Sequence, residues 1–304
     1  MRFGLQLRAA DPTTVAGDAR RAEELGFDVV VVGDHIGSDD WGPLLCLAAA
    51  ASATSTIRLG TLVLNASLQH PLQLAREVAT LDQLSGGRVE LGLGAGHTPA
   101  EFAASGVAFE PAATRKRRLA ELIELMRALL DGETVDHRGE HFELTGAQTG
   151  PAAQAHLPIL VGGSGAGLLA HAACHADIVG LAGLGRTLPD GHRHVARFGV
   201  DDVDHDVSIV RRAAEGAGRD PELNVLLQAV DVTDDRQAAA AAMVDRIEGL
   251  SIADALATPF LALGSHEQIA EHLVAAAHRW GIGYVVVREA ESFAPVIDLV
   301  RRGG

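Results

Sequence analysis

Apolar positions along this chain alternate between short continuous runs and helical periodicity. Arg2–Leu7, Phe27–Val32, Ile57–Leu64 and Arg88–Leu93 are apolar or β-branched runs of strand length. Pro158–Val161, Asp177–Leu181, Leu223–Val232 and Tyr284–Val287 repeat the pattern. Continuous runs, unlike strict polar/apolar alternation, suit strands covered on both faces. The intervening segments have helical spacing, among them Trp41–Thr54, Pro71–Leu84, Thr114–Leu130, Gly167–His175 and Val203–Gly216. Their ends carry the expected punctuation. Asp11 reads as the cap of a first helix with Pro12 in its first turn, and Gly26 closes that helix. Ser85-Gly86-Gly87 ends another, and Ser265 with Gln268 three residues on forms a capping box for the last long helix.

Strands separated by helices imply parallel pairing, and eight such units imply closure. The predicted fold is therefore α/β, a (β/α)8 barrel of the TIM type, with residues 1–304 forming one domain. A doubly wound open sheet is the alternative, but no Gly-x-Gly-x-x-Gly follows the first strand. Gly132–Leu157 and Gly183–Asp202 are too long for ordinary connections. They are expected as insertions at the C-terminal rim, over the mouth of the barrel.

Composition narrows the function. With 304 residues and 47% hydrophobic content, the chain can bury a large core without disulfides or metals. Its two cysteines, Cys46 and Cys174, form no disulfide framework and suit a reducing compartment. The start MRFGLQLRAADP lacks a charged region followed by an apolar run, and no apolar run approaches the roughly 18 residues of a membrane span. A cytoplasmic protein without membrane contact is expected. The net charge of −15 argues against nucleic acid as a partner. Lys116 is the sole lysine. It lies in the charged run Arg115–Arg118, which reads as a solvated helix face.

In this fold, chemistry sits where strands end. The second strand runs into Gly33-Asp34-His35, the fourth into Gly94-Ala95-Gly96-His97 and the fifth into Gly162-Gly163-Ser164-Gly165. A histidine beside a carboxylate can exchange a proton near neutral pH. A loop-capping Asp34 with a structural His35 is the competing assignment. His97 is a second acid/base candidate or a turn cap. Gly162–Gly165 opens a helix, so its backbone N–H groups can face a phosphate; an ordinary Gly-rich turn is the plain alternative. Gly94 and Gly96 allow close approach either of a flat ring or of a neighbouring strand. His171, Cys174 and His175 share one helical face at metal-ligand spacing, but on an outer helix, where packing and surface roles are expected. His192 and His194 read as solvated loop histidines. No metal is expected.

At this point a resemblance becomes visible. Ala22-Glu23-Glu24-Leu25-Gly26-Phe27-Asp28 leading to Gly33-Asp34-His35, Ile57-Arg58-Leu59-Gly60-Thr61, His70-Pro71 and Leu81–Arg88 resemble the luciferase-like flavin oxidoreductases. Leu91–Gly96, Glu101-Phe102 and Pro158–Gly163 continue the match in order. Phe260–Gly264 and Gly281–Val287 resemble the deazaflavin-dependent subgroup. The resemblance implies a barrel that binds coenzyme F420, or alternatively FMN, in its mouth. It implies His35 beside the reactive ring as proton donor or acceptor, and a non-proline cis peptide near Leu62-Val63. It places Asn65 at the ring edge and the coenzyme phosphate at Gly162–Gly165. Two departures stand out. Sugar-phosphate dehydrogenases of the group carry Glu where this chain has His97, and they use lysines that this chain lacks. A sugar phosphate is therefore not the expected substrate. Trp41 stands near the position of the family's active-site tryptophan, with longer spacing from His35; a packed loop aromatic is the equal alternative.

The expected activity is F420-dependent hydride transfer to or from a small organic substrate. The alternatives are an FMN-dependent two-component monooxygenase, served by a separate reductase, and a non-catalytic coenzyme-binding protein. A metal-dependent barrel hydrolase would need acidic or histidine ligands at several strand ends, which Asp34-His35 alone does not provide. A homodimer is expected by analogy only.

Overall fold

The computed structural model describes residues 1–8, 11–37, 41–187 and 194–303. Eight parallel strands form the barrel: β1 (Arg2–Leu7), β2 (Val29–Val32), β3 (Arg58–Thr61), β4 (Val89–Gly94), β5 (Ile159–Gly163), β6 (Ile178–Leu181), β7 (Glu222–Leu226) and β8 (Ile282–Val287). Their spatial order is β3-β2-β1-β8-β7-β6-β5-β4, and pairing of Leu59 with Val89 and Gly60 with Glu90 closes the ring. After Thr61 the chain passes through a cis peptide between Leu62 and Val63. It then resumes as a short extension, Leu64–Asn65, alongside Leu93 and Gly94.

An outer helix follows each strand: α1 (Val15–Glu24), α2 (Pro43–Ala53), α3 (Pro71–Ser85), α4 (Ala112–Leu130), α5 (Ala166–His175), α6 (Val200–Ala217), α7 (His266–Trp280) and α8 (Ala290–Gly303). The four valines of β2 are all buried and show why the strand runs are continuous. Val29 and Val31 point inward with Leu160, Ile178, Tyr284 and Val286, filling the barrel. Val30 and Val32 belong to the layer between strands and helices, a buried cluster that reaches from Phe3 to Val300.

The helix ends follow local chemistry. Gly86 closes α3 in the left-handed conformation at φ 70°. Ser265 and Gln268 form the predicted reciprocal capping box on α7. Asp11 differs from expectation. Its carboxylate accepts hydrogen bonds from the Thr13 amide and hydroxyl, and α1 starts only at Val15, behind Thr14. The short acidic side chain builds a turn ahead of the helix rather than its cap.

The two long insertions lie at opposite ends of the barrel. The described parts of 183–202 follow β6 and so sit at the C-terminal rim, where Leu184–Thr187 pairs antiparallel with His194–Ala196. Residues 132–157 do not cover the mouth, contrary to the expectation for Gly132–Leu157. They connect the end of α4 to the start of β5, which places them at the N-terminal end. Their hairpin, Val135–Arg138 with Glu143–Ala147, packs on the outside of α4, where Glu121 accepts from the His141 and Phe142 amides. Leu223–Val232, read as one strand, also divides: Glu222–Leu226 stays in the barrel, and Ala229–Val232 pairs with Leu261–Gly264 in a separate two-stranded sheet. His192 lies outside the described residues.

Candidate active site

A cavity of about 980 Å³ opens at the C-terminal ends of the strands. It takes residues from the ends of β1, β4, β5, β6, β7 and β8, and from the chain following β2 and β3. Of the predicted site residues, Asp34, His35, Leu62, Val63, Asn65, Gly94, Gly96, His97, Gly162, Gly163 and Ser164 line it; Gly165 does not, and adjoins Ser164 as the N-cap of α5.

The floor is built by the chain reversal after β3. Asn65 presents its backbone N–H to the Asp34 carboxylate at 3.0 Å and its side-chain oxygen to the Ser67 amide at 3.1 Å. Its Nδ2 is shielded from solvent and has no hydrogen-bond partner in the protein. A buried donor left unpaired is costly, and this one keeps its hydrogen-bonding capacity unspent within the protein. Burial raises the pKa of Asp34, opposed by the hydrogen bond from Asn65.

Gly94 and Gly96 are explained by this same reversal. A Cβ on Gly94 would lie 2.6 Å from Val63 Cγ2, and one on Gly96, at φ 73°, would overlap the Asn65 amide. Of the two sequence-level explanations, approach of a neighbouring strand segment is the one the packing supplies.

His35 emerges from the loop after β2. Its Nδ1 lies 2.7 Å from Glu101 Oε1, and its ring meets His97 edge-on with centroids 6.2 Å apart. The His35 side chain is 48% exposed and that of Glu101 only 9%, so a sheltered carboxylate holds a solvent-facing imidazole. Glu101 belongs to the short helix Pro99–Ala104, which follows the β4 end. It entered the sequence reading only as part of a family match, not as a site residue.

Lys116 is the second addition. It lies in the second turn of α4, and its Nζ donates to the Ser164 carbonyl at 2.9 Å. The sequence suggested a solvated face. In the fold, the first turns of a helix following a barrel strand stand at the rim, so the lysine turns into the cavity. Burial lowers its pKa, helped by Arg115. Arg115 itself donates to the Gly96 carbonyl at 3.3 Å and stacks on the Phe109 ring at 4.1 Å. The Gly162–Gly165 turn thus combines the N-terminus of α5, a flexible glycine at φ 90° and a nearby ammonium group.

On the opposite wall, Arg288 donates to Gln6 Oε1 at 2.9 Å and to the Leu227 carbonyl at 3.2 Å. Trp41 is 55% exposed and is not among the cavity-lining residues, so it stands neither in the cavity nor as the packed aromatic of the alternative. Among the described residues, no helix is long and apolar enough to cross a membrane.

The chain is similar to several characterised proteins. It is 33% identical over 162 residues to an F420-dependent glucose-6-phosphate dehydrogenase of Amycolatopsis mediterranei, a match covering 51% of this chain and 48% of that one. It is 39% identical over 146 residues to the 4-hydroxyprotoasukamycin monooxygenase of Streptomyces nodosus subsp. asukaensis, covering 46% and 38%. These matches span less than half the length of either relative. The coenzyme F420-dependent tetrahydromethanopterin reductase of Methanopyrus kandleri has the same fold, with a TM-score of 0.75 at 22% identity, over 97% of this chain and 96% of that chain. The model of the luciferase-like monooxygenase family matches residues 3–283, and the chain belongs to that family.

Proposed function

We propose that this protein is an F420-dependent oxidoreductase, moving a hydride between the deazaflavin and a small organic substrate. The observation that carries this reading is the His35–Glu101 pair, in one cavity with the unpaired Asn65 Nδ2. The fit to the coenzyme rests on the donor set. Asn65 Nδ2 can donate to a ring acceptor, and the Gly162–Gly165 turn with Lys116 can hold a phosphate. When bound, the deazaflavin supplies a carbon centre that accepts or releases the hydride.

Oxidation of an alcohol to a carbonyl leaves one proton on the substrate oxygen. His35 takes that proton, and returns it in the reverse direction. Imidazole does this near neutral pH without the large shift a carboxylate would need. Glu101 holds the ring through Nδ1 and stabilises its protonated form; which nitrogen carries the proton follows from that contact. His97, edge-on to His35, assists the transfer or orients the substrate. Because the single lysine serves the coenzyme turn, a phosphorylated sugar is not the substrate class proposed.

The same turn accepts the phosphate of FMN, and one relative is a monooxygenase. An FMN-dependent monooxygenase with a separate reductase is therefore the second reading. Titration of the pure protein with F420 and with FMN separates them. Tighter binding of F420, followed by bleaching of its visible absorbance with a small alcohol, is the expected outcome. Tighter binding of FMN overturns it.

A further inference from the structure

On the outer wall, away from the mouth, α4 and α5 lie side by side. Glu124 on α4 and His171 and His175 on α5 offer ligand atoms that all lie within 4.8 Å of one another. The two imidazoles are one helical turn apart, so they share a face. Their rings stack with centroids 4.3 Å apart and planes 22° from parallel. His171 Nε2 is shielded from solvent and has no hydrogen-bond partner in the protein. A recess of about 330 Å³ adjoins the cluster, lined by Glu124, Glu133, Cys174 and His175.

We propose that Glu124, His171 and His175 bind one divalent transition-metal ion of the zinc class, joining α4 to α5. Zinc takes imidazole nitrogens at about 2.0–2.1 Å and carboxylate oxygens at about 2.0–2.2 Å, so tetrahedral donors stand roughly 3.3 Å apart. The exposed Glu124 side chain can rotate to close the remaining gap. Three protein donors leave the fourth position to water. The positive groups beside the recess are already engaged. Arg127 and Arg219 pair with Asp177 at 2.5 and 3.1 Å, and His156 Nε2 meets the same carboxylate at 2.8 Å. The sequence assigned these histidines to packing because an outer helix lies away from the catalytic rim. A structural metal needs no rim position, only donors from two elements.

The test uses the full chain, stripped with a chelator and titrated with Zn(II) and with Co(II), whose visible spectrum reports tetrahedral nitrogen–oxygen coordination. One equivalent is expected to bind and to raise Tm. His171→Ala and His175→Ala should each weaken binding at least tenfold, Glu124→Gln less, and His35→Ala not at all. His175 is exposed, so its variant keeps the test valid if His171→Ala fails to fold. Absence of stoichiometric binding, or unchanged binding by the His171→Ala/His175→Ala double variant, overturns the site.

Discussion

The two ends of the barrel treat polar groups in opposite ways. At the N-terminal end, Arg2 meets Glu90 at 2.6 Å and Glu222 at 2.5 Å, and Arg58 reaches the same Glu90 at 2.5 Å. Gln154 accepts from Arg58, and the Arg2 guanidinium lies over the ring of the buried Tyr284 at 4.4 Å. Burial, followed by the charge of Glu90, holds the Tyr284 hydroxyl well above its usual pKa, so the phenol stays neutral. Every charge in this layer has an opposite partner. At the C-terminal end, Asn65 Nδ2 has no partner in the protein, the half-buried Asp34 has a carboxyl whose pKa is raised, and Lys116 carries an ammonium whose pKa is lowered. The strands are the same, but one end balances its charges in a shared ionic network, while the other sets Asp34 against a backbone amide and Lys116 against a backbone carbonyl at the cavity. Stability and chemistry are thus separated along the barrel axis.

The separation can be broken most severely at His35. His35→Ala should lower turnover by about 10²–10⁴-fold while coenzyme affinity is largely kept. Near-normal turnover would remove His35 from the acid/base role, and a loss confined to affinity would make it a binding residue. The next largest effect belongs to the other end. Glu90→Ala leaves Arg2 and Arg58 without their shared carboxylate and should cost about 2–4 kcal/mol, seen as a lower Tm. Coenzyme affinity should survive. The loss should appear in one cooperative transition, as a single domain over residues 1–304 requires; two separate transitions would contradict that.

Gly163→Val tests the turn. A Cβ there would overlap the Leu168 side chain in the first turn of α5. Overpacking of this kind costs about 1–3 kcal/mol of stability; the shift that relieves it should displace the turn, so coenzyme affinity should also fall, measured by titration. Unchanged affinity would move the phosphate elsewhere. The smallest effect is expected at Asp34. Its folded-state pKa is raised, so ionising it weakens the fold as pH climbs from its unfolded value through its folded one. Asp34→Asn keeps an acceptor for the Asn65 amide and removes that burden. Its Tm at neutral pH should equal or slightly exceed the wild type, within about 1 kcal/mol. A large loss would give the Asp34 charge a binding partner of its own.

The strand set and its closure were legible because buried parallel strands leave unmistakable apolar runs, as in β2. Asp34, His35 and the Gly162–Gly165 turn followed from strand ends, and Leu62-Val63 and Asn65 followed from family resemblance. Glu101 and Lys116 carry no local signature of proton transfer or anion binding. Each lies on a helix past a strand end, and only the direction of the helix axis turns it toward the mouth. The placement of residues 132–157 failed for a related reason. Length marks an insertion, but its end of the barrel depends on whether it follows a strand or a helix. The break at Leu226 was hidden because Ala229–Val232 stays extended and apolar enough to read as one run with it.

One lysine in 304 residues has a practical consequence. An amine-directed acylating reagent meets a single side chain in the whole molecule, Lys116, besides the terminal amine. With its pKa lowered by burial and by Arg115, more of that amine is nucleophilic at mild pH than in an ordinary lysine. One added mass, found on one peptide by mass spectrometry, would therefore report on a single place in the molecule, the turn beside Ser164. Its rate of appearance gives a direct occupancy gauge: any anion seated in that turn should slow the labelling, with no need for a coloured ligand or a known reaction.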